Sequence, residues 1–243
     1  MATDVLDATK IWLAGYDVSG DIKGVNVVAS AELLDDTTFG DTTRSRKGGL
    51  HDVAFSAAGF WNAAASPAGI DDILWARVGV ADVPVSVAPL TGAGGETAYT
   101  FRANIGEYVP GGEIGQLLAF TVSAQASGGS GLVRGTVLFN AIGQTASGNG
   151  TKFTVGAVSA TQRMYAALHV LGAGTGTFDA ILQSDADGSA GGETNRITFA
   201  QASGITSEWK SVAGPITDTL WRLNYTIAGG APSFDVVLVA GIR

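Results

Sequence analysis

Cysteine is absent from the 243 residues, which removes disulfides, thiolate metal sites and cysteine nucleophiles together. It also leaves the redox state of the compartment unreadable. Charged side chains make up 15% of the chain, against about 25% in an average globular protein, so much of the surface must be neutral, small and polar. Proline is scarce at 6 residues, and histidine occurs only at His51 and His169. No run approaches the ~18 apolar residues of a membrane-spanning helix. The opening MATDVLDATK shows neither a basic leader nor an apolar signal segment, so the expectation is a soluble particle made inside a cell, without a membrane partner.

What is abundant is glycine, at 35 residues, and hydrophobic side chains, at 46%. The first implies many tight turns or close backbone approaches. The second provides a core large enough to need no staple. The formal charge of -8 argues against a chain that wraps nucleic acid, because such binding draws on clustered Lys and Arg. A negative wall past which DNA slides is compatible with it. The charge is uneven: residues 1–140 hold 15 acids against 8 bases, and residues 141–243 hold 7 against 6. Together with the small-residue stretch AIGQTASGNG, read as a linker or long turn over residues 141–150, this predicts two domains, 1–145 and 150–243.

Alternation dominates the pattern. KIWLAGYDVSGDI gives an apolar patch and a turn at Ser19-Gly20-Asp21, and GVNVVASAELLDD begins as a strand. FGDTTRSRK is a polar, charged hairpin arm or loop, followed after Gly48-Gly49 by a strand in LHDVAFSAAGFW with a small-residue outer face. One helix of about nine residues is predicted, with Ser66 as cap, Pro67 at the first helical position, Asp71-Asp72 near the positive end of the dipole, and Ile70, Ile73 and Leu74 on one face. Strand patterns resume in VPVSVAPL, ETAYTFRANIGEYV, IGQLLAFTVSAQA and GLVRGTVLFN. The second half adds six or seven short stretches between glycine-rich turns, among them ATQRMYAALHVLGA, whose MYAALHVL reads as a strand or, by its Ala and Leu, alternatively as a helix, and ends in the apolar PSFDVVLVAGIR. That spacing implies a β-sandwich or jelly roll with the final strand tied into a sheet.

Residues that suggest chemistry have simpler readings. His51 reads as a strand start and His169 as a partly buried strand position, in different predicted domains and outside any Ser-His-Asp constellation. Adjacent Asp71 and Asp72 cannot share a helix face, and serve the helix terminus. Asp185, Asp187 and Glu193 hold some oxygen ligands of a calcium loop but lack its full pattern, leaving an acidic surface turn. The glycines at 92–95 and 172–176 lack the lysine of a phosphate loop and the strand–helix setting of a dinucleotide fingerprint. Arg44, Arg46 and Lys47 belong to a solvated loop, to an exposed arm pairing with a neighbouring subunit, or to a nucleic-acid contact, in that order. Trp61, Trp75, Trp209 and Trp221, widely separated, read as core rather than as a saccharide platform. No catalytic residue, cofactor site or metal site emerges.

The segments IWLAGYDVSGDIKGV and AELLDDTTFGDTTRSRKGGLHDVAFSAAGFWNAA, with the later strands ending near GTVLFN, resemble the major tail (tail tube) protein of long-tailed bacteriophages. Asp17, Ser19, Gly20 and Asp21 match its early turn. Leu33, Asp35, Thr37 and Thr38, with Gly49, Leu50 and Asp52, match the segment before its second principal strand, and the helix near 67–76 sits where that fold places one. The resemblance implies a mostly β protein: a tail-tube-like sandwich or barrel with one packed helix, then a small β-sandwich or jelly-roll-like domain. It implies a non-enzymatic virion protein, assembled in the host cytoplasm into stacked, usually sixfold rings with other tail proteins, past which DNA moves without sequence-specific binding. Residues from about 150 resemble an added domain that decorates the outside of such tubes. A capsid decoration or tail-fibre protein, and a glycan-binding module in the second domain, are the competing readings.

Overall fold

The computed structural model describes residues 8–63, 69–172, 174–189 and 191–243. The fold is mostly β, with one short α-helix. The first half opens with β1 (Lys10–Leu13) and β2 (Tyr16–Asp17), reversed through Ala14 and Gly15, both at positive φ. A single 3-10 turn, Ser19–Asp21, leads into the long hairpin of β3 (Ile22–Asp35) and β4 (Arg46–Phe60). Next come α1 (Ile70–Trp75), β5 (Val83–Ala88), β6 (Thr97–Gly111), β7 (Ala119–Ala126) and β8 (Val133–Gln144). The helix is six residues long with Gly69 at its cap, shorter than the spacing predicts, while Ile70, Ile73 and Leu74 are its buried face as expected. Ser66 and Pro67 lie outside the described residues.

In the second half, β9 (Gly148–Asn149) and β10 (Phe153–Thr154) are brief, and β11 (Arg163–Gly172) takes the MYAALHVL segment. There follow β12 (Thr175–Asp185), β13 (Thr194–Thr198), β14 (Thr206–Ala213), β15 (Leu220–Ala231) and β16 (Phe234–Ile242). The stretch 141–150 is not a loose connection. Ala141 and Asn140 still pair with β16, and Gly148 and Asn149 pair with β15, so a three-residue turn carries the chain from one sheet to the other.

All strand pairs are antiparallel and form two sheets. The larger runs β14-β11-β16-β8-β6-β5-β1-β2, and it forks at β6. Thr97–Thr100 of β6 pair with β8, while residues 103–111 of the same strand pair with β7, which continues to β4 and β3. This second branch curls into a half-barrel. The smaller sheet has β12 and β13 on one side of β15 and the short β9 and β10 on the other.

Two large apolar clusters result. One fills the half-barrel with Phe55, Val85, Phe101, Ile105 and Phe120, closed by the three buried residues of α1. The other lies between the two sheets, with Leu168, Leu238, Phe178, Trp221 and Leu223. A third, smaller cluster joins the halves: Trp12, Ala88, Ala98 and Val137 from the first meet Val237 and Val239. β16 therefore has two buried faces, Val236, Leu238 and Ala240 toward the sandwich, Val237 and Val239 toward the joint. Its nearly continuous apolar sequence follows from that double burial, at about 1.5–3 kcal/mol per large side chain.

The joint also holds the one buried histidine. His169 of β11 is fully buried, more so than the sequence implies, and its Nε2 lies 3.0 Å from Ser86 Oγ. Thr100 Oγ1 donates to the Val85 carbonyl at 3.0 Å, so it accepts from Ser86 at 2.9 Å, and Ser86 in turn accepts from His169 Nε2–H. That chain of donors fixes the tautomer and leaves Nδ1 buried without a partner. Burial pulls the imidazole down to about 3 from its usual 6.5, since a second proton would sit on Nδ1 with nothing to accept it. A folded-state value below the unfolded one means that this stability is whole above pH 6.5 and is lost as pH falls, by ~1.4 kcal/mol per unit until about pH 3. Urea unfolding across that range is expected to show this slope, and His169→Gln, which keeps a donor but cannot titrate, is expected to flatten it between pH 6.5 and the carboxylate range.

Candidate functional site

The most unusual feature is the distal half of the β3–β4 hairpin. β4 is zipped to β7 only from Ala54 to Phe60. Beyond that point residues 46–53 pair with β3 alone, and β3 carries no partner on its other edge among the described residues. What projects is a bare two-stranded ribbon of about 25 Å. Isolated ribbons of this kind are marginal in water, and an open edge is a template for pairing. Its side chains match a surface that expects a partner: Leu33, Leu34 and Leu50 are 64%, 48% and 82% exposed, and Phe39 at the tip is wholly exposed.

The tip is nevertheless ordered, and its hydroxyls and acids explain why. Asp35 Oδ1 accepts from the Thr37 amide at 3.0 Å, and Asp41 Oδ2 from the Thr38 amide at 2.7 Å. Thr37 Oγ1 accepts from the Ser45 amide at 3.0 Å, and Lys47 Nζ is 2.9 Å from Asp36. The Thr37 bonds hold the Asp35 carboxyl below its usual range, and Lys47 does the same for Asp36. Of the basic trio singled out in the sequence, Lys47 is thus an internal tie, whereas Arg44 and Arg46 make no ion pair among the described residues. His51 is an exposed residue within β4, not at its start.

At the opposite end of β4 lies a second apolar surface. The Trp61 amide donates to Leu118 at 2.9 Å, and around this closure Phe60, Val109, Ile114, Leu117 and Leu118 are exposed. Between the two ends, the outer face of β3, β4, β7 and β6 has no covering layer among the described residues. Asn26, Ser56, Ala58, Thr121, Ser123 and Glu107 border a shallow concavity of about 460 Å³ there. Asp52 sits further along the same face by register, opposite Ser30, and no Lys or Arg borders the concavity.

The groups that suggested chemistry are accounted for structurally. Asp71 accepts a hydrogen bond from Tyr108 Oη at 2.7 Å, tying α1 to β6, and burial followed by the Asp71 bond raises the Tyr108 phenol well above its ordinary value. Asp72 is exposed. Gly92 and Gly94-Gly95 leave room for aromatic rings: an added Cβ would lie 2.7 Å from Trp12 and 2.9 Å from Phe153. Trp221 is buried with its Nε1–H on the Gly156 carbonyl, and Trp61 packs on the half-barrel core. Trp75 departs from the core expectation at 72% exposed, because the short helix turns only Ile70, Ile73 and Leu74 inward. Trp209 is half-buried against Tyr165, ring centroids 5.7 Å apart.

The acidic turn carries its own cation. Lys152 Nζ bonds Asp185 Oδ2, lies 2.8 Å from Glu193 Oε1 and donates to the Ser189 carbonyl, while Arg222 adds a second contact to Glu193 at 3.1 Å. The ammonium therefore stands where a divalent ion would, and among the described residues no group of three or more potential ligands is arranged for a metal. Lys152 holds both carboxyls below their usual range. Depressed carboxyl values mean that this contribution is present above the ordinary carboxylate range and lost as pH falls through the shifted ones. Lys152→Met is expected to lower the melting temperature by leaving Asp185 buried and uncompensated, and Asp185→Asn in the same chain to restore part of it, measured by calorimetry at neutral pH.

No family model and no curated protein matches the chain. Among solved structures, it is similar to a chain in the virion of a native gene transfer agent particle, with a TM-score of 0.41, 14% identity, and coverage of 51% of this chain and 93% of that one. A chain in the tail of an empty gene transfer agent particle, of C6 symmetry, gives a TM-score of 0.37 at 14% identity, with 51% and 92% covered. At these TM-scores the likeness carries no functional argument.

Proposed function

We propose that this chain is a structural subunit that assembles with copies of itself into stacked rings, hexameric in the reading from its sequence, forming a phage tail tube through which DNA passes. The observation that carries the reading is the ribbon beyond Val53, with its open edge and exposed Leu33, Leu34, Phe39 and Leu50. Such a surface is a template for a neighbour that supplies hydrogen bonds and apolar contact. The apolar surface around Phe60 and Leu117 lies at the other end of the same strand. Complementary patches at opposite ends produce head-to-tail contacts, which propagate into rings or stacks instead of closing as a dimer. The uncovered face with Glu107 and Asp52, small, polar and without a bordering base, suits the wall of a DNA channel, since attraction to phosphate needs positive charge. Residues 150–243 serve on this reading as an accessory outer unit, and other tail proteins set the ends of the tube.

Electron microscopy of the purified chain across concentration is expected to show hollow tubes or stacked rings. Leu33→Asp combined with Leu50→Asp, both on the exposed ribbon, is expected to leave the melting curve unchanged and abolish the tubes. Isolated trimers would move the assignment to a capsid decoration or fibre protein, and tubes that persist in the double variant would reject the ribbon as the contact between subunits. In assembled tails, Glu107→Lys is expected to slow DNA passage without preventing assembly; unchanged passage rejects the placement of that face in the channel.

A further inference from the structure

Where the two halves meet, the face of β11 and β14 that carries His169 inward opens outward into a cleft of about 390 Å³. Its lining comes from both halves: Arg102 of β6 and Ser130 of the β7–β8 connection on one side, Arg163, Tyr165, Trp209 and Ser211 on the other. Tyr165 and Trp209 form a half-exposed aromatic pair, 5.7 Å between centroids. Arg163 is exposed; its Nε donates to Ser211 Oγ at 3.1 Å, which orients the guanidinium and leaves its two terminal nitrogens without a partner among the described residues. Arg102 is fixed by Asp82 at 3.3 Å and by the Gly128 carbonyl, so Asp82 offsets its charge and Arg163 supplies the free one. Gly128, at φ +69°, is required for this, because a Cβ there would collide with the Arg102 guanidinium.

The joint beneath the cleft is also incompletely paired. Four buried side-chain polar atoms lack a partner among the described residues, and two of them, Arg102 Nε and Ser130 Oγ, belong to residues that line this one cleft. Buried polar groups are normally satisfied, so these two atoms, both closed to solvent and out of reach from the cleft, mark the joint beneath it as incompletely paired. Aromatic rings that cover an apolar face, beside hydroxyls and a guanidinium with two free donors, match a sugar ring bearing a carboxylate. A cleft of this size takes a short saccharide, within the range of small-molecule sites. A nucleic-acid strand fits less well. It would need a track of unpaired cations, and the chain carries a net charge of -8.

We infer that the cleft between Arg102, Ser130, Arg163, Tyr165, Trp209 and Ser211 binds an acidic saccharide, with Arg163 on its carboxylate and Trp209 and Tyr165 against a ring face. The site needs residues of both halves and stands independently of the assembly reading.

The test is calorimetric titration of the full chain, kept below its assembly concentration, with three probes. These are a hexasaccharide of alternating glucuronate and N-acetylglucosamine, a neutral hexamer of N-acetylglucosamine, and oligo-dT of six nucleotides. Saturable binding of the first is expected, weakening with salt, with the neutral sugar and the oligonucleotide each about tenfold weaker or more. Arg163→Gln, at an exposed position that leaves folding intact, and Trp209→Leu are each expected to reduce the affinity about tenfold, while Arg44→Gln on the ribbon leaves it unchanged. Arg163→Lys, which keeps the charge without the fork, is expected to fall between wild type and Arg163→Gln. Equal binding of the neutral sugar, tighter binding of oligo-dT, no heat with the acidic sugar, or an Arg163→Gln protein that binds as well as wild type would each overturn the proposal.

Discussion

β16 is the strand on which both halves of the molecule depend. One face supplies Val236, Leu238 and Ala240 to the sandwich, the other supplies Val237 and Val239 to the joint with Trp12, Ala88 and Ala98. Its edges are equally committed, to β11 on one side and β8 on the other. A strand buried on two faces and two edges tolerates little change. Even its neighbours show the crowding: Gly135 of β8 and Gly241 of β16 face each other so closely that a Cβ on either would meet backbone at 2.2–2.6 Å. Because β8 continues into β6, and β6 into the half-barrel, the placement of β16 fixes how the body of the protein meets its second sheet.

Local structure was largely legible in the letters, because period-two alternation and glycine-rich turns are local signals. VPVSVA, TAYTFRANIGEYV, MYAALHVL and DVVLVAG all lie in strands, and the inward face of α1 followed from the three- and four-residue spacing of Ile70, Ile73 and Leu74. What stayed hidden is long-range. Nothing in ETAYTFRANIGEYV says that one strand changes partners midway, from β8 to β7. Nor does GAGG announce that Trp12 and Phe153 lie against it. The acidic turn at 185–193 looked solvated because its counter-ion, Lys152, is more than thirty residues away. Trp75 was misjudged since hydrophobicity alone does not say which face of a six-residue helix it occupies.

The candidate surfaces were legible in a similar proportion. Hydroxyls and charges at 36–47 suggested an arm, and the side-chain-to-backbone bonds of Asp35, Thr37 and Asp41 explain how so polar a tip holds its shape. That Leu33, Leu34 and Leu50 stand exposed could not be read from sequence, where they look like any strand interior. The cleft at the joint was invisible for another reason. Arg102 and Arg163 stand 61 positions apart, and only the register of β11 on β14 brings Tyr165 beside Trp209.

The position of β16 has a temporal consequence. Val237 stands opposite Asn140, so the central pairing of the large sheet closes a loop of nearly a hundred residues, and contacts of such separation form late and slowly. Until they form, β8 and β11 each display a bare edge, and the apolar sides of the joint are wet. During that interval an immature chain offers neighbours two sticky edges besides β3, all capable of wrong partnerships. Docking of the final strand removes both, so completion of the fold itself narrows the open edges to those of the outer strands, β3 and β14 among them.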